Sequence, residues 1–366
     1  MAPRRTSALA LAALYAGLIA YASLYPFEGW RVQGIAPWSF LNAPLPRYWT
    51  GFDVLSNVLG YGPLGFLICL ALQRLRPSWP AVRLATALAF LLSWAMESLQ
   101  LLLPVRVPSN LDLALNVAGA TMGALLARGL EGWGLLARWS RWRDRWFVAE
   151  SNGVLVLLAL WPLALMFPVA VPFGLGQVYE RAEAALLQWL ADTPWIDWLP
   201  LREVELQPML PLSEWLCIAM GLLLPCLLAF SVLRTVRQRV VVSLLGLAMG
   251  VAASTLSAAL SYGPSHAWDW ISPEVLVGLA LAALALTLLL GRSARSCLVV
   301  ALVLVVWQLA LLNQASADVY FAQTLQHWEQ GRFIRFHGLI QWLGWLWPYA
   351  LLWHLVRRLS RASSRA

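Results

Sequence analysis

The segment "MESLQLLLPVRVPSNLDLALN", residues 96–116, holds Glu97, Gln100, Arg106, Asn110, Asp112 and Asn116 in a chain that is 60% hydrophobic. Glu97 and Gln100 are three residues apart, and Asp112 and Asn116 four apart, so each pair shares one helix face. Upstream, "GFDVLSNVLGYGPLGF" sets Asp53 four residues before Asn57 in the same way. Arg106 is the obvious counter-charge. Two chemistries suit such a set. In a binding site, Arg106 holds a phosphate or carboxylate and the amides of Asn57, Gln100 and Asn116 read hydroxyls. In an enzyme, Glu97, Asp112 and Arg106 are the catalytic candidates. Glu97 then acts as general acid or base, and Asp53 and Asp112 polarise a nucleophile or hold a divalent cation. The plainer readings are structural. Asp53 and Asp112 sit where acidic residues cap helix N-termini, Asp112 three residues after Ser109 as in a capping box. Glu97 and Arg106 can form an ion pair without further purpose. Glu97 is the hardest to explain as a cap, because it lies inside an apolar run nearly two turns before Pro104.

The elements that position these residues are membrane helices. Only 12% of the residues are charged, against roughly a quarter in soluble domains. Apolar runs of bilayer-crossing length recur along the chain, and lipid excludes open sheets. The expected fold is all-α, a polytopic integral membrane bundle of about ten spans. These fall near 7–24, 54–73, 84–103, 112–130, 152–171, 212–233, 240–260, 273–290, 297–315 and 337–356. The first run ends in Ala20-Tyr21-Ala22, which also fits a cleaved signal peptide; an uncleaved helix is the preferred reading. A charged group at the bilayer centre costs about 2.5–3.5 kcal/mol on insertion scales. Asp53, Asn57, Glu97, Gln100, Arg106, Asp112 and Asn116 are therefore expected to turn inward around one polar cleft at the outer ends of spans two, three and four.

The net charge is +8, and all 26 basic residues are Arg. With both termini cytoplasmic, 19 of the 26 fall on the cytoplasmic side, the bias expected of membrane topology; the Lys-free, Ala- and Leu-rich composition hints at a GC-rich bacterial genome, so the expected location is the bacterial cytoplasmic (inner) membrane. The charge thus reports topology and membrane lipids as partners, not nucleic acid. "LARWSRWRDRWF" combines Trp139, Trp142 and Trp146 with four Arg and reads as an interfacial helix on an anionic leaflet. It separates a first membrane domain, 1–130, from a second bundle, 152–366, through a linker at 131–151. "GQVYERAEAALLQWLAD" reads as a second surface helix. Cys69, Cys217, Cys226 and Cys297 lie in or beside apolar runs without CxxC spacing and are expected to be buried small residues. Gly119 and Gly123 form a small-xxx-small face for close helix packing.

In the second bundle the polar residues assigned to the outer side are Glu214, Tyr262, His266, Asp269, Glu274, Asp318, His327, Glu329, Arg332, Arg335 and His337. Their spacing matches no metal-ligand pattern, so neither a metal nor a cofactor is assigned. Trp268 and Trp270 suit a headgroup-level anchor. His354, inside the last span, is expected to be held by packing. No phosphate-binding Gly loop, GxSxG, HExxH or paired CxxC occurs, which disfavours ATP-driven chemistry.

The polar set resembles the VanZ-like family of bacterial membrane proteins. The resemblance rests on an acidic residue and Asn opening "NVLGYGPLGF", then "ESLQ", then "PVRVPSNLDLALNVAGATMG", and covers roughly residues 15–130. The matching positions are Asp53, Asn57, Pro63, Gly65, Glu97, Gln100, Arg106, Asp112, Asn116 and Gly119. After the Arg, where the family often has an acidic or small polar residue, this chain has Val107-Pro108-Ser109. The family's namesake is associated with teicoplanin resistance. The resemblance implies a cell-envelope protein whose ligand is an envelope headgroup, a lipid-linked glycan or a glycopeptide-related molecule. An intramembrane acid/base enzyme and a transporter are the alternatives. The transporter is disfavoured by the lack of a clear internal repeat. Oligomeric state is left open.

Overall fold

The computed structural model describes residues 7–25, 27–46, 48–76, 79–148, 151–198, 208–315 and 334–363. Asp318, His327, Glu329 and Arg332 lie outside the described residues, as do the side chains of Arg335 and His337. The described chain is all-helical. Among the described residues no strand forms, and one isolated bridge pairs Phe147 with Leu233. Contacts divide the chain into two compact units, Met1–Trp142 and Arg143–Ala366.

The first unit contains α1 (Ser7–Leu24), α2 (Gly51–Leu75), α3 (Ala81–Gln100) and α4 (Asn110–Gly132). Its closest contact is between α2 and α4. A Cβ on Gly123 would stand 1.9 Å from the Gly62 carbonyl oxygen, and one on Gly119 would stand 2.3 Å from that of Val58. Backbone therefore packs directly on backbone, as the small-residue face predicts. The contacts Val58–Gly119 and Gly62–Gly123 run in the same chain order, so α2 and α4 are parallel and start at the same end of the bundle. α1 packs on α2 and α3. Cys69 is fully buried among Ala81, Ala85, Ala124 and Ala127.

α5 (Leu135–Trp146) crosses the boundary between the units in sequence. Its Trp139 and Trp142 stack on each other with ring centroids 4.9 Å apart and remain exposed, whereas Trp146 joins the apolar core of the second unit.

The second unit contains α6 (Asn152–Ala164), α7 (Tyr179–Leu190), α8 (Pro211–Phe230), α9 (Val236–Tyr262), α10 (Pro273–Leu289), α11 (Ala294–Gln314) and α12 (Ile334–Ser363). α8 is its buried axis, packed by α6, α9, α10 and α11. Buried Arg239 donates to the carbonyls of Leu290 and Arg292, both at 2.7 Å, and to that of Phe230 at 3.2 Å. It thereby satisfies the last carbonyl of α8 and two carbonyls just past the end of α10. His354 packs against Gly153, where a Cβ would collide with the imidazole at 2.8 Å. All four cysteines are buried thiols, as the sequence predicts.

Each of the ten predicted spans coincides with a helix. Among the described residues, α2, α3, α4, α8, α9 and α11 are long and apolar enough to cross a bilayer, and α1, α6 and α10 are shorter apolar helices. α6 departs most from its predicted span, 152–171. It ends at Ala164 after 13 residues, about 20 Å of rise against a hydrocarbon core of about 30 Å. Pro162, Pro168 and Pro172 remove the donors that a continuing helix needs. The chain beyond stays buried all the same, at Leu165, Phe167, Val171, Phe173 and Leu175.

Candidate functional site

The parallel starts of α2 and α4 bring the predicted polar pairs together. Thr50 opens α2 with a capping box. Its side chain accepts from the Asp53 amide at 3.2 Å, and the Asp53 carboxylate accepts from the Thr50 amide at 2.9 Å. Asp53 is exposed at this helix start, as the capping reading proposes. Ser109 opens α4, accepting from the amides of Leu111 at 3.2 Å and Asp112 at 3.3 Å. Its own amide donates to Glu97 Oε2 at 2.9 Å. The Glu97 carboxylate thus faces the N-terminus of α4, where the helix dipole favours a negative charge. This explains physically how a carboxylate can lie 4% exposed inside a membrane helix.

One layer of the site is formed by Asn57, Asp112 and Glu97. Asn57 Nδ2 donates to Asp112 Oδ1 at 2.9 Å and ties α2 to α4. One helical turn further in, Tyr61, Ser93 and Asn116 form a second layer. All three are at most 5% exposed. Asn116 Nδ2 donates to Ser93 Oγ at 3.0 Å. The Tyr61 hydroxyl faces Ser93 and Glu97 but makes no hydrogen bond of proper geometry, and the Asn116 carbonyl oxygen has no donor.

Gln100 and Arg106 turn to α1. Gln100 Nε2 donates to the Ser23 carbonyl at 3.0 Å. Arg106 Nε donates to the Tyr25 carbonyl at 3.0 Å, and its Nη2 reaches the carbonyls of Tyr25 and Ala22. The guanidinium therefore caps the end of α1, the position a helix dipole assigns to a cation. The loop before α2 is fastened to the same end of the bundle. Arg31 N donates to the Leu102 carbonyl at 2.9 Å, Gln33 Nε2 to that of Leu101 at 2.7 Å, and Asn110 Nδ2 to that of Ala43 at 2.6 Å.

Of the seven predicted residues, Asn57, Glu97, Asp112 and Asn116 meet in the cluster between α2, α3 and α4. Asp53 caps α2, and Gln100 and Arg106 reach α1. Sequence reasoning missed Tyr61, Ser93 and the capping role of Thr50. Tyr61 lies four residues after Asn57, and Ser93 four before Glu97. Extending the same helix face by one turn finds both.

The chain matches none of the curated proteins and none of the solved structures with which it was compared. Residues 5–136 match the family model described as VanZ/LLP1. That stretch holds α1 to α4 and every residue of the cluster, and its apolar helices mark a multi-pass membrane protein. The first unit, about a third of this chain, is a VanZ-like membrane region.

Proposed function

We propose that the VanZ-like unit binds a hydroxyl- or ammonium-bearing group of a cell-envelope lipid or lipid-linked glycan in the cluster between α2, α3 and α4. One observation carries this reading. The Tyr61 hydroxyl and the Asn116 carbonyl oxygen are buried without hydrogen-bond partners, beside the Glu97 carboxylate. A buried polar atom left unpaired costs about 1–3 kcal/mol. A purely architectural core gains nothing by keeping two of them, and a ligand group that donates to Asn116 and Glu97 while pairing with Tyr61 offsets that cost. The excess of acceptors selects a donor, a sugar hydroxyl or a headgroup ammonium. We propose also that the unit lies in the bacterial inner membrane with both termini cytoplasmic, on the strength of the Arg distribution.

The test is the envelope lipid profile of a deletion strain complemented with variants at matched abundance. Wild type and Thr86→Val are expected to restore the profile, and Glu97→Gln and Asn116→Leu to fail. Thr86 pairs with Thr121 at 3.1 Å away from the cluster. Restoration by all four proteins would refute the proposal.

A further inference from the structure

The second unit has an open-sided cavity of about 710 Å³, within the usual range for small-molecule sites. One wall is the irregular chain after α6, including Val169, Ala170 and Pro172, and the other is the final turns of α9. Irregular backbone at membrane depth persists only where protein buries it or where it lines a cavity. This segment does both. Phe173 is wedged inward, so close to Gly221 and Gly250 that a Cβ there would lie 2.4 and 2.6 Å from it. Val169 and Ala170 face the cavity, and their peptide groups make no hydrogen bond among the described residues. They are donors and acceptors held ready in the wall.

The opposite wall adds hydroxyls. Ser254, Ser257 and Ser261 recur on one face of α9 and line the cavity with Tyr262. Ser257 Oγ fixes the two walls together by donating to the Met166 carbonyl at 2.9 Å. At the mouth, His266 Nδ1 and Asp269 Oδ2 are 2.6 Å apart and pair with each other. Trp270 presents an aromatic surface there, held by Nε1 donating to Thr255 at 3.2 Å. Among the described residues no Arg lines the cavity. An anionic headgroup would find no cation of its own, whereas a hydroxylated, uncharged head finds hydroxyls, free peptide groups and an aromatic face. Leu165, Pro168 and Ala258 leave the remainder apolar.

We propose that this cavity is a second binding site, for an uncharged amphiphile whose polyhydroxylated head sits between the Val169 and Ala170 peptide groups, His266, Asp269 and Tyr262 and whose hydrocarbon part lies along Leu165, Pro168 and Ala258. The site is independent of the cluster in the first unit. It is tested with the full chain in phosphatidylcholine nanodiscs, photolabelled with a diazirine-bearing alkyl glucoside and mapped by peptide mass spectrometry. Label is expected on residues 165–172 and 254–262. It should be displaced by an unlabelled alkyl glucoside and not by an alkyl phosphocholine of equal chain length. Ala170→Phe, which fills the cavity, should cut labelling by about tenfold or more, and Asp269→Asn by about fivefold. Tyr61→Phe should leave it unchanged. Should Ala170→Phe render Cys217 or Cys226 reactive, the exposed Asp269 decides alone. Label elsewhere, equal displacement by the phosphocholine, or full labelling of Asp269→Asn would overturn the proposal.

Discussion

Replacing Gly123 by Ala should separate α2 from α4 and thereby dismantle the polar cluster. The new Cβ would stand 1.9 Å from the Gly62 carbonyl oxygen and 2.7 Å from its carbon. That is about 1.5 Å inside the 3.4 Å at which ordinary van der Waals contact begins. Both obstructing atoms are backbone, so no side-chain rotation relieves the clash and a helix must move. Overpacking of this kind costs about 1–3 kcal/mol. The same displacement would stretch the 2.9 Å Asn57–Asp112 bond beyond hydrogen-bonding range and forfeit about 1.5–3 kcal/mol for a bond to a charged group. Gly60 and Gly129 are the controls, because a Cβ on either meets nothing within 4 Å. Cys69 supplies the assay. It is the sole cysteine in residues 1–142 and is fully buried. Its rate of thiol modification against temperature, read by peptide mass spectrometry, reports the opening of this unit alone. Gly123→Ala should expose Cys69 at a clearly lower temperature than wild type, and Gly60→Ala and Gly129→Ala should not. Equal behaviour of Gly123→Ala and Gly60→Ala would refute the close packing of the two helices.

Three further outcomes follow from the geometry. Glu97→Gln keeps an oxygen for the Ser109 amide and should lower stability by about 1 kcal/mol through the lost charge at the α4 N-terminus. Glu97→Leu orphans that amide at a cost of about 1–3 kcal/mol; identical Cys69 exposure curves for the two would contradict the role of Ser109. Arg106→Ala removes the donors to the Ala22 and Tyr25 carbonyls, so hydrogen exchange at residues 20–25 should accelerate, and unaltered exchange there would sink the capping role. For topology, Val107 is 85% exposed, and the buried native thiols give a low background. Val107→Cys should react with an impermeant thiol reagent added to intact cells whose outer membrane alone has been permeabilised, and Arg141→Cys should not; the reverse pattern would invert the orientation.

The helices were legible because lipid forces each backbone to satisfy itself, so length and hydropathy alone place them. The break after α6 was also written in the sequence, in Pro168 and Pro172. Its consequence was not, because burial of the broken segment depends on Gly221 and Gly250, which are distant in the chain. In the site, spacing of three and four residues was enough to group Asn57, Glu97, Asp112 and Asn116, and the same rule extended by one turn reaches Tyr61 and Ser93. The role of Arg106 was not legible. Its acceptors are carbonyls more than 80 residues away, and a backbone carbonyl carries no sequence signal. Gly119 and Gly123 announced a close contact, but only the fold identifies Val58 and Gly62 as its other side.

The central claim is that the first unit keeps buried polar groups unpaired for a ligand. Tyr61→Phe tests it most directly, since the change removes one oxygen and leaves the ring in place. Two readings of the full chain, extracted in mild detergent, decide the matter together: the onset of Cys69 modification, and the small-molecule adducts seen by native mass spectrometry. The account predicts that Tyr61→Phe protects Cys69 at least as well as wild type, by up to about 1–3 kcal/mol, because an unsatisfied buried hydroxyl is gone. It predicts that an adduct present on wild type is lost from the variant. A destabilised Tyr61→Phe that retains every wild-type adduct would show that the hydroxyl serves the fold and not a ligand.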